Sequence, residues 1–381
     1  MAETKYWLWL TKAVGNHRIS ANTLLEIANG NPKEIFDMSP QQLKALLGDD
    51  ELVASLCVKD LKSAEREIAI ANKHGVKIIS RDDEDYPLDL INISDAPYVL
   101  YVRGNSDEMG DDKLRIAIIG SRRASSYGLG IAYDLAYALA KRGVVIVSGM
   151  ATGIDSQAHM GAVDAGGKTI AVLGCGVNIC YPMDNSALMV DIMKNGQVIS
   201  EFPFDTPPLK WNFPQRNRIM SGLSHGVVVV EAEEISGTSI TAKLALEQGK
   251  EVFAVPGNIT SPTSVGTNNL IKNSATPVTC VEDILSLFPE FEFSKSEEDD
   301  ETEHNENEII SSLAVDVPEG EIMPEQIILE TVRTDAMSPE EIAGVTGLPL
   351  NQVNSIASIM EISGLLTSLP GHKYIKTSKL K

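Results

Sequence analysis

The sequence has 381 residues, 43% of them apolar, so the chain can bury a large core and form two or three domains. Its net charge of −21 excludes polyanion binding by the whole surface, so any nucleic-acid site must be a local basic patch. The four cysteines form no CxxC pair, which favours free thiols in a reducing compartment over a metal site or a disulfide. No stretch has the roughly 20 apolar residues that a membrane span needs. We therefore expect a soluble, cytoplasmic protein with no membrane contact.

Residues 1–80 predict a small bundle of short helices of the SAM/HhH-like kind. Leucines recur at helical spacing and are interrupted by Asn29-Gly30-Asn31-Pro32 and by Gly48, while Ser39-Pro40 is typical of a capped helix start. Such bundles are often interaction modules, and some hold DNA through glycine-rich hairpins. Because Val14-Gly15-Asn16-His17 offers a single glycine, DNA binding is the less favoured of the two roles.

Residues 81–289 predict an α/β domain, with an edge extension over 81–112 leading into it. Seven apolar, Val- and Ile-rich runs alternate with helical segments, which indicates a parallel sheet joined by right-handed crossovers. The predicted strands are Arg115–Ile119, Val144–Val147, Thr169–Leu173, Val198–Ser200, Val227–Val230, Glu251–Val255 and Val278–Val281.

The rest of the chain predicts a linker followed by a separate small domain. Residues 290–322 form an acidic linker: ten acidic residues and one lysine lie between Glu290 and Glu308, so nine of the 21 net negative charges are there. Residues 323–381 predict three helices and a β-hairpin, the composition of a winged helix. Its third helix has no Lys or Arg between Asn351 and Met360, which favours protein contact over reading a DNA groove.

Small residues follow the predicted strands directly at their carboxyl ends, which is where parallel sheets bind their ligands. Glycine spacing argues against a dinucleotide there, because no second glycine follows Gly120 before Gly128, and Ile179 stands where Gly174-Cys175-Gly176 would need a third glycine. No Walker sequence occurs either, so no nucleotide cofactor is expected.

Acidic residues at this edge leave two alternatives open. Asp155 and His159 could share a metal or a proton, but an N-cap aspartate and a helix-packing histidine are favoured. Glu201 and Glu231 follow strands and could act as acid and base, but accepting backbone N–H groups or pairing Arg216 or Arg218 is favoured.

The segment from Leu209 to Arg218 contains one lysine, two arginines, Trp211 and Phe213. Cations bind phosphates and aromatic faces stack on bases, so this segment fits a platform for a single strand of nucleic acid. The alternative, with Trp211 in a core and the arginines in internal salt bridges, is equally supported by the composition.

The central domain resembles the DNA-processing protein A family, also called DprA or Smf. The motifs that carry the resemblance are Gly120-Ser121-Arg122, Ser148 to Asp155, Thr169 to Gly176 with Tyr181-Pro182, Phe213 to Ile219, Ser236 to Ala242 and Val252 to Gly257. The helical module and the winged helix also match the family's layout.

The resemblance implies an extended Rossmann-like fold that binds and protects single-stranded DNA and loads the RecA recombinase on it during natural transformation, without catalysis. It also implies that Arg122 and Lys210 hold phosphates, that Phe213 contacts a base, and that the chain forms a homodimer with Ile271 near the interface. The DNA-binding residues expected on this basis are Gly120, Ser121, Arg122, Arg123, Ser148, Gly149, Lys210, Phe213, Arg216, Asn217, Arg218, Ser236, Gly237 and Thr238. No catalytic residue, metal or cofactor is expected.

One position departs from the family pattern. Some relatives carry a basic residue directly after Tyr-Pro, whereas this chain has Met183, and Lys194 or Arg123 is the expected substitute.

A phosphoribohydrolase-like enzyme is the alternative function, because related sheets carry a Gly-Thr turn before a helix. Those enzymes carry PGGxGTxxE, and the stretch from Ser236 to Thr241 lacks both the leading Pro-Gly and the glutamate. That missing acid favours the DNA-binding function.

Overall fold

The computed structural model divides the chain into two compact units, Met1–Ser294 and Lys295–Lys381. It describes residues 3–15, 17–105, 112–234, 236–293, 324–332, 336–362, 365–369 and 373–376. Most of the predicted linker therefore lies outside the described residues. None of the helices in the part of the chain that the structure describes has the length and apolar composition to span a lipid bilayer.

Six short helices form the N-terminal part of the first unit. They are α1 (Thr4–Val14), α2 (Arg18–Ile27), α3 (Pro32–Asp37), α4 (Pro40–Leu46), α5 (Asp50–Leu56) and α6 (Leu61–Lys73). The predicted start of α4 is confirmed, because the Ser39 hydroxyl accepts a hydrogen bond from Gln42 N in a capping box. Side chains such as Trp7 and Leu10 share one core with Tyr98 and Tyr101 of the adjoining sheet edge.

A nine-stranded, mostly parallel sheet forms the rest of the first unit. Its strands are β1 (Lys77–Ser80), β2 (Val99–Gly104), β3 (Arg115–Ile119), β4 (Val145–Ser148), β5 (Thr169–Val172), β6 (Gln197–Ser200), β7 (Gly226–Val229), β8 (Glu251–Ala254) and β9 (Thr276–Pro277). The spatial order is β1-β2-β6-β5-β4-β3-β7-β8-β9. Strand β2 is antiparallel to both of its neighbours, and the strands from β6 to β9 are parallel.

Helices cover both faces of the sheet. They are α7 (Leu88–Ile91), α8 (Ser126–Lys141), α9 (Ile154–Asp164), α10 (Ser186–Asn195), α11 (Asn212–Leu223), α12 (Gly237–Glu247), α13 (Val265–Lys272) and α14 (Glu282–Leu285). Ala117 and Ile119 of β3 pack into the core with α11 and α12, whereas Ile116 and Ile118 pack into the core with α8 and α9. Because both faces are buried, the strands read as continuous apolar runs, as predicted.

The prediction of a seventh strand at Val278–Val281 is wrong, because the last strand of the sheet lies just before these residues. Strand β9 ends at Pro277, and the chain turns directly into α14. The Asp283 carboxylate accepts hydrogen bonds from the backbone N–H groups of Thr279, at 2.7 Å, and Cys280, at 3.1 Å. These bonds fold residues 279–280 into a turn, which local apolar content does not reveal.

The second unit contains three helices and one hairpin in its described residues. They are α15 (Pro324–Thr331), α16 (Pro339–Thr346), α17 (Leu350–Ile362), β10 (Leu366–Leu369) and β11 (Lys373–Lys376). The hairpin is antiparallel, and Met337 forms an additional bridge to Tyr374. Residues of all three helices and both strands share one apolar core.

Candidate nucleic-acid interface

The order of the sheet reverses between β3 and β7. From β3 the chain builds outward through β4, β5 and β6, and it then returns to the other side of β3 with β7, β8 and β9. Loops at the carboxyl ends of β3 and β7 therefore leave in opposite directions, which opens a crevice in which ligands of such sheets bind.

The turn after β3 presents two exposed arginines at this crevice. Ser121 N donates to Glu231 O at 2.9 Å, and Ile154 N donates to Ser121 O at 3.3 Å, so the backbone of Ser121 is held from two sides. The side chains of Arg122 and Arg123, which follow it, are exposed. The fold thus fixes the turn while leaving its charges accessible to solvent.

Arg122 lies against an aromatic pair. Its guanidinium carbon is 5.2 Å from the centre of the Phe213 ring, and the Tyr181 ring centre is 5.7 Å from the same ring. A Cβ added at Gly174 would be 3.0 Å from Phe213, so glycine allows the ring to lie over the end of β5. We call Arg122, Gly174, Tyr181 and Phe213 the Arg122 cleft. A guanidinium beside aromatic faces can hold both a phosphate and a base.

Asn212 positions the helix that carries Phe213. It is buried, and its side-chain amide donates to the carbonyl oxygens of Gly174, at 3.0 Å, and Pro207, at 3.3 Å. Lys210 and Trp211 lie immediately before this helix and are exposed, Trp211 by 62%. The alternative that places Trp211 in a core is therefore wrong.

Arg216 lies beneath the surface of the sheet edge. It is 3% exposed, its guanidinium donates to the carbonyl oxygen of Val172, and a Cβ added at Gly149 would overlap it. Burial lowers the pKa of Arg216 to about 10, against the opposing effect of the Asp155 carboxylate. This side chain supports the loop at Gly149 from below, and burial prevents it from contacting a ligand at the surface.

Arg218 pairs inside the protein. Its Nη2 donates to Glu201 Oε2 at 2.5 Å, and its Nε lies 3.0 Å from Asp95 Oδ2. Arg218 and Glu201 are both buried. The structural interpretation of Glu201, as a partner of Arg218, is confirmed, and Arg218 does not belong to the exposed surface.

Ser148 and Gly149 also lie below the surface. The Ser148 hydroxyl donates to Ile118 O at 2.7 Å, and Gly149 N donates to the Asp155 carboxylate at 3.2 Å. The expectation that Asp155 caps its helix is wrong, because Gly153 holds the N-cap position and Asp155 bonds the preceding loop instead. Burial raises the pKa of Asp155.

The packing role expected for His159 is confirmed. Its Nδ1 lies 2.7 Å from Thr169 Oγ1, and that hydroxyl donates its single hydrogen to Ile146 O at 2.8 Å. Nδ1 is therefore the protonated nitrogen. Burial lowers the pKa of His159 to about 3, so the ring is neutral. Within the described ranges, no three His, Cys, Asp or Glu side chains are grouped to hold a metal ion.

Glu231 is a buried structural acceptor. Its carboxylate accepts from Ser125 N at 2.8 Å, from Ser125 Oγ at 2.5 Å and from Thr263 Oγ1 at 3.1 Å. The interpretation of Glu231 as a backbone acceptor is confirmed. It neutralises part of the positive end of α8, which begins at Ser126.

The remaining predicted residues lie on both sides of the crevice. Ser236 caps α12 by accepting from Ser239 N at 3.3 Å, while Gly237 is exposed and Thr238 is buried. Asn217 is half-buried on α11. Gly120 is half-buried at the end of β3, where an added Cβ would be 2.5 Å from Ile154 Cγ1.

The comparisons with known proteins agree with this architecture. The sequence profile of the DNA recombination-mediator protein A family matches residues 77–289, from β1 to beyond α14. The chain belongs to this family. The resemblance found in the sequence motifs is thereby confirmed.

Relatives extend the likeness beyond the matched region. The chain is 35% identical over 384 residues to protein Smf of Escherichia coli K12, covering 97% of this chain and 95% of that protein. The X-ray structure of DNA processing protein A from Streptococcus pneumoniae is 34% identical, with a TM-score of 0.66, over 77% of this chain and 99% of that chain. A structure of DNA processing protein A from Helicobacter pylori, which gives insights into that protein's single-stranded DNA binding mode, is also similar. Its sequence is 32% identical, and the TM-score is 0.52 over 57% of this chain and 97% of that chain.

Sequence reasoning does not single out Tyr181 of the Arg122 cleft, or Asn212, which donates to Gly174 of the cleft. In the sequence, Tyr181 belongs only to a Tyr-Pro motif, and Asn212 only to the segment from Leu209 to Arg218. An Asn directly before an aromatic residue at a helix start was the available signal for Asn212. For Tyr181, whose ring packs 5.7 Å from Phe213, no sequence signal indicated the contact.

Lys194, one of the two substitutes expected for a basic residue after Tyr-Pro, does not lie beside Met183. Met183 is 73% exposed, just after Tyr181. Lys194 pairs with Asp191 at 2.8 Å near the end of α10, directly before β6 begins. It therefore lies at the amino ends of the parallel strands, opposite the carboxyl ends where the crevice opens. Arg123, the other expected substitute, is exposed in the turn after β3.

Proposed function

We propose that the Arg122 cleft binds single-stranded DNA. The observation that carries this proposal is the exposed Arg122 guanidinium, 5.2 Å from the Phe213 ring centre, at the reversal point of the sheet. The single-stranded DNA binding mode of the related Helicobacter pylori protein supports it. An unpaired base can stack on an aromatic ring, whereas the bases of a duplex already stack on one another.

The residues around the crevice have different roles in this proposal. Arg122 and Lys210 hold phosphates, Arg123 supplies the charge that Met183 lacks, and Phe213 stacks on a base. On the other side of the crevice, the N-terminus of α12 at Gly237 presents free backbone N–H groups to a further phosphate. Gly120 and Ser121 shape the turn, and Asn217 lies beside it on α11.

We assign no catalytic step and no cofactor to this site. The buried carboxylates around it already bond protein groups: Glu231 holds Ser125, Glu201 holds Arg218, and Asp155 holds the loop at Gly149. Carboxylates engaged in this way stabilise a binding surface, and a general acid or base would need to face the ligand.

Membership of the family supports a proposal for the protein's role in the cell. We propose that the protein protects incoming single-stranded DNA and loads RecA on it during natural transformation, which the family's description as a recombination mediator supports. We also propose a homodimer through the late part of the sheet domain. Ile271 is half-buried on α13, in a position to extend such an interface.

The flanking regions are proposed to be interaction modules. The six N-terminal helices form a SAM/HhH-like module, and the second unit is a winged helix, supported by its three helices, hairpin and common core. The absence of Lys and Arg from Asn351 to Met360 of α17 favours a protein partner for the winged helix.

A mobility-shift titration tests the proposal. Single-stranded and double-stranded oligonucleotides of equal length are titrated with the full chain, first alone and then with RecA present. We expect the single strand to bind more tightly and RecA to assemble faster on the bound strand. Equal affinity for the duplex would overturn the single-strand assignment, and unchanged RecA assembly would overturn the loading role.

A further inference from the structure

Trp211 differs in exposure from the other two tryptophans of the chain. Trp7 and Trp9 belong to the core of the N-terminal helices and are 2% and 3% exposed, whereas Trp211 is 62% exposed. None of the aromatic pairs and cation–ring contacts in the described part of the chain includes Trp211. A large apolar ring in water is unfavourable, so the stability of the fold gives little reason for a tryptophan at this position.

Trp211 also occupies a position at which a helix start favours other residues. It is the N-cap of α11, where a side-chain oxygen usually accepts from the N–H groups of the first turn, and its side chain forms no such bond. The neighbouring Asn212 fixes the backbone instead. Its N donates to Leu209 O at 3.0 Å, and its buried amide donates to two further carbonyl oxygens. The exposed ring is therefore carried on a firmly held stretch of backbone.

Two residues of the proposed strand site lie on either side of Trp211. Lys210, directly before it, is exposed and is proposed to hold a phosphate, and Phe213, two residues after it, is proposed to stack on a base. Cα atoms two residues apart are separated by at most about 7 Å. This distance is about two nucleotide steps at the roughly 3.4 Å per nucleotide of one DNA strand in a duplex. A strand held at Lys210 can therefore reach both rings.

The surroundings of Trp211 favour a nucleotide over an apolar protein surface. None of the ion pairs formed within the described ranges includes Lys210, so its charge has no acidic partner in the protein. A nucleotide supplies both a planar base for the indole and a phosphate for the ammonium group. An apolar protein surface would remove water from that ammonium group without pairing it.

We propose that Trp211 is a second base-stacking subsite for the strand whose other base stacks on Phe213. The subsite rests on the proposed single-strand function, and it extends the binding site from the Arg122 cleft past Lys210. Stacking uses the face of a base, which every base has, so Trp211 accepts purines and pyrimidines alike. It also adds a second reason for the selection of single strands, because the face of a paired base is covered by its neighbours in the duplex.

Intrinsic tryptophan fluorescence tests this subsite in the unaltered chain. Trp7 and Trp9 are buried, so Trp211 is the tryptophan that a bound base can reach. A base stacked on an indole quenches its emission, so saturating oligo(dT) should quench the emission and protect the remainder from acrylamide. A strand of equal length with abasic sites keeps the phosphates and should bind without quenching. Unchanged emission with saturating oligo(dT) would overturn the subsite.

Two variants separate the aromatic face from apolar bulk. Trp211→Leu should weaken oligo(dT) binding about 5- to 150-fold, the range expected for the loss of one base–aromatic stack. Trp211→Phe keeps a ring and should bind within about fivefold of the wild type. The salt dependence should be the same in both variants, because Lys210 still holds its phosphate. Thermal melting checks that both variants fold. Wild-type affinity in Trp211→Leu would overturn the subsite.

Arg122→Ala distinguishes failure of the subsite from failure of the strand-binding function. If Arg122→Ala weakens oligo(dT) binding while Trp211→Leu does not, the subsite is overturned and the strand-binding function stands. If the wild-type chain does not bind oligo(dT), the strand-binding function itself fails. A third outcome identifies a protein contact: Trp211→Leu would keep its affinity for DNA but slow RecA assembly on the bound strand, and this result would also overturn the subsite.

Discussion

The guanidinium carbon of Arg122 lies 5.2 Å from the centre of the Phe213 ring. The two residues come from distant parts of the chain, the turn after β3 and the start of α11, so the contact forms only when the sheet has assembled. A cation over a half-buried ring near the surface, as Phe213 is, gains about 0.5–1 kcal/mol, enough to orient the arginine. Its charge is not neutralised by this contact and remains available to a phosphate.

Phe213→Leu should weaken single-stranded DNA binding without changing its salt dependence. Loss of one base-stacking contact costs about 1–3 kcal/mol, whereas the salt dependence reports phosphate contacts, which leucine does not remove. Anisotropy titrations at several salt concentrations measure both quantities. A change in the salt slope alone would show that Phe213 acts through Arg122 and does not stack on a base.

Arg218→Met should destabilise the fold, because it leaves the buried Glu201 carboxylate without this partner. Breaking one side of a buried ion pair costs about 3–5 kcal/mol, measurable as the free energy of unfolding in urea. The double variant Arg218→Met/Glu201→Leu should recover part of that loss. Arg66→Met, at an exposed arginine of α6, is the matched control. If Arg218→Met were as stable as this control, the ion pair would have no structural role.

His159 should make the protein less stable in acid. Its pKa is about 3 when folded and near 6.5 when unfolded, so the unfolded chain binds more protons between these values and stability rises with pH across that window. Going from pH 7 to pH 5 should therefore cost about 2 kcal/mol through this one residue.

His159→Asn isolates that contribution, because the amide can still donate to Thr169 but does not titrate. The unfolding free energy of the variant should change less between pH 7 and pH 5 than that of the wild type. Identical pH profiles would show that the fold does not lower the pKa of His159. A carboxyl group with a raised pKa, such as Asp155, makes stability fall as the pH rises. This effect is present in both the wild type and His159→Asn, so it cancels when the two pH profiles are subtracted.

The sequence predicted the sheet well because strands buried on both faces leave continuous apolar runs. It failed at residues 278–281, where Asp283 imposes a turn. It could not predict which of Arg122, Arg216 and Arg218 are exposed, because the three are the same residue type. Their exposure depends on partners distant in sequence, such as Glu201 for Arg218 and Val172 for Arg216.

The double variant Arg122→Ala/Lys210→Ala tests whether these two side chains hold the phosphates of single-stranded DNA. Each phosphate contact to a single strand contributes about 0.7 to the slope of log affinity against log salt concentration. Loss of both contacts should lower that slope by about 1.4 and weaken binding at moderate salt. The control variant Arg66→Ala/Lys44→Ala removes the same two residue types from exposed positions on α6 and α4. An unchanged slope and affinity in the Arg122→Ala/Lys210→Ala variant would contradict binding at the Arg122 cleft, because single-stranded DNA would then bind elsewhere.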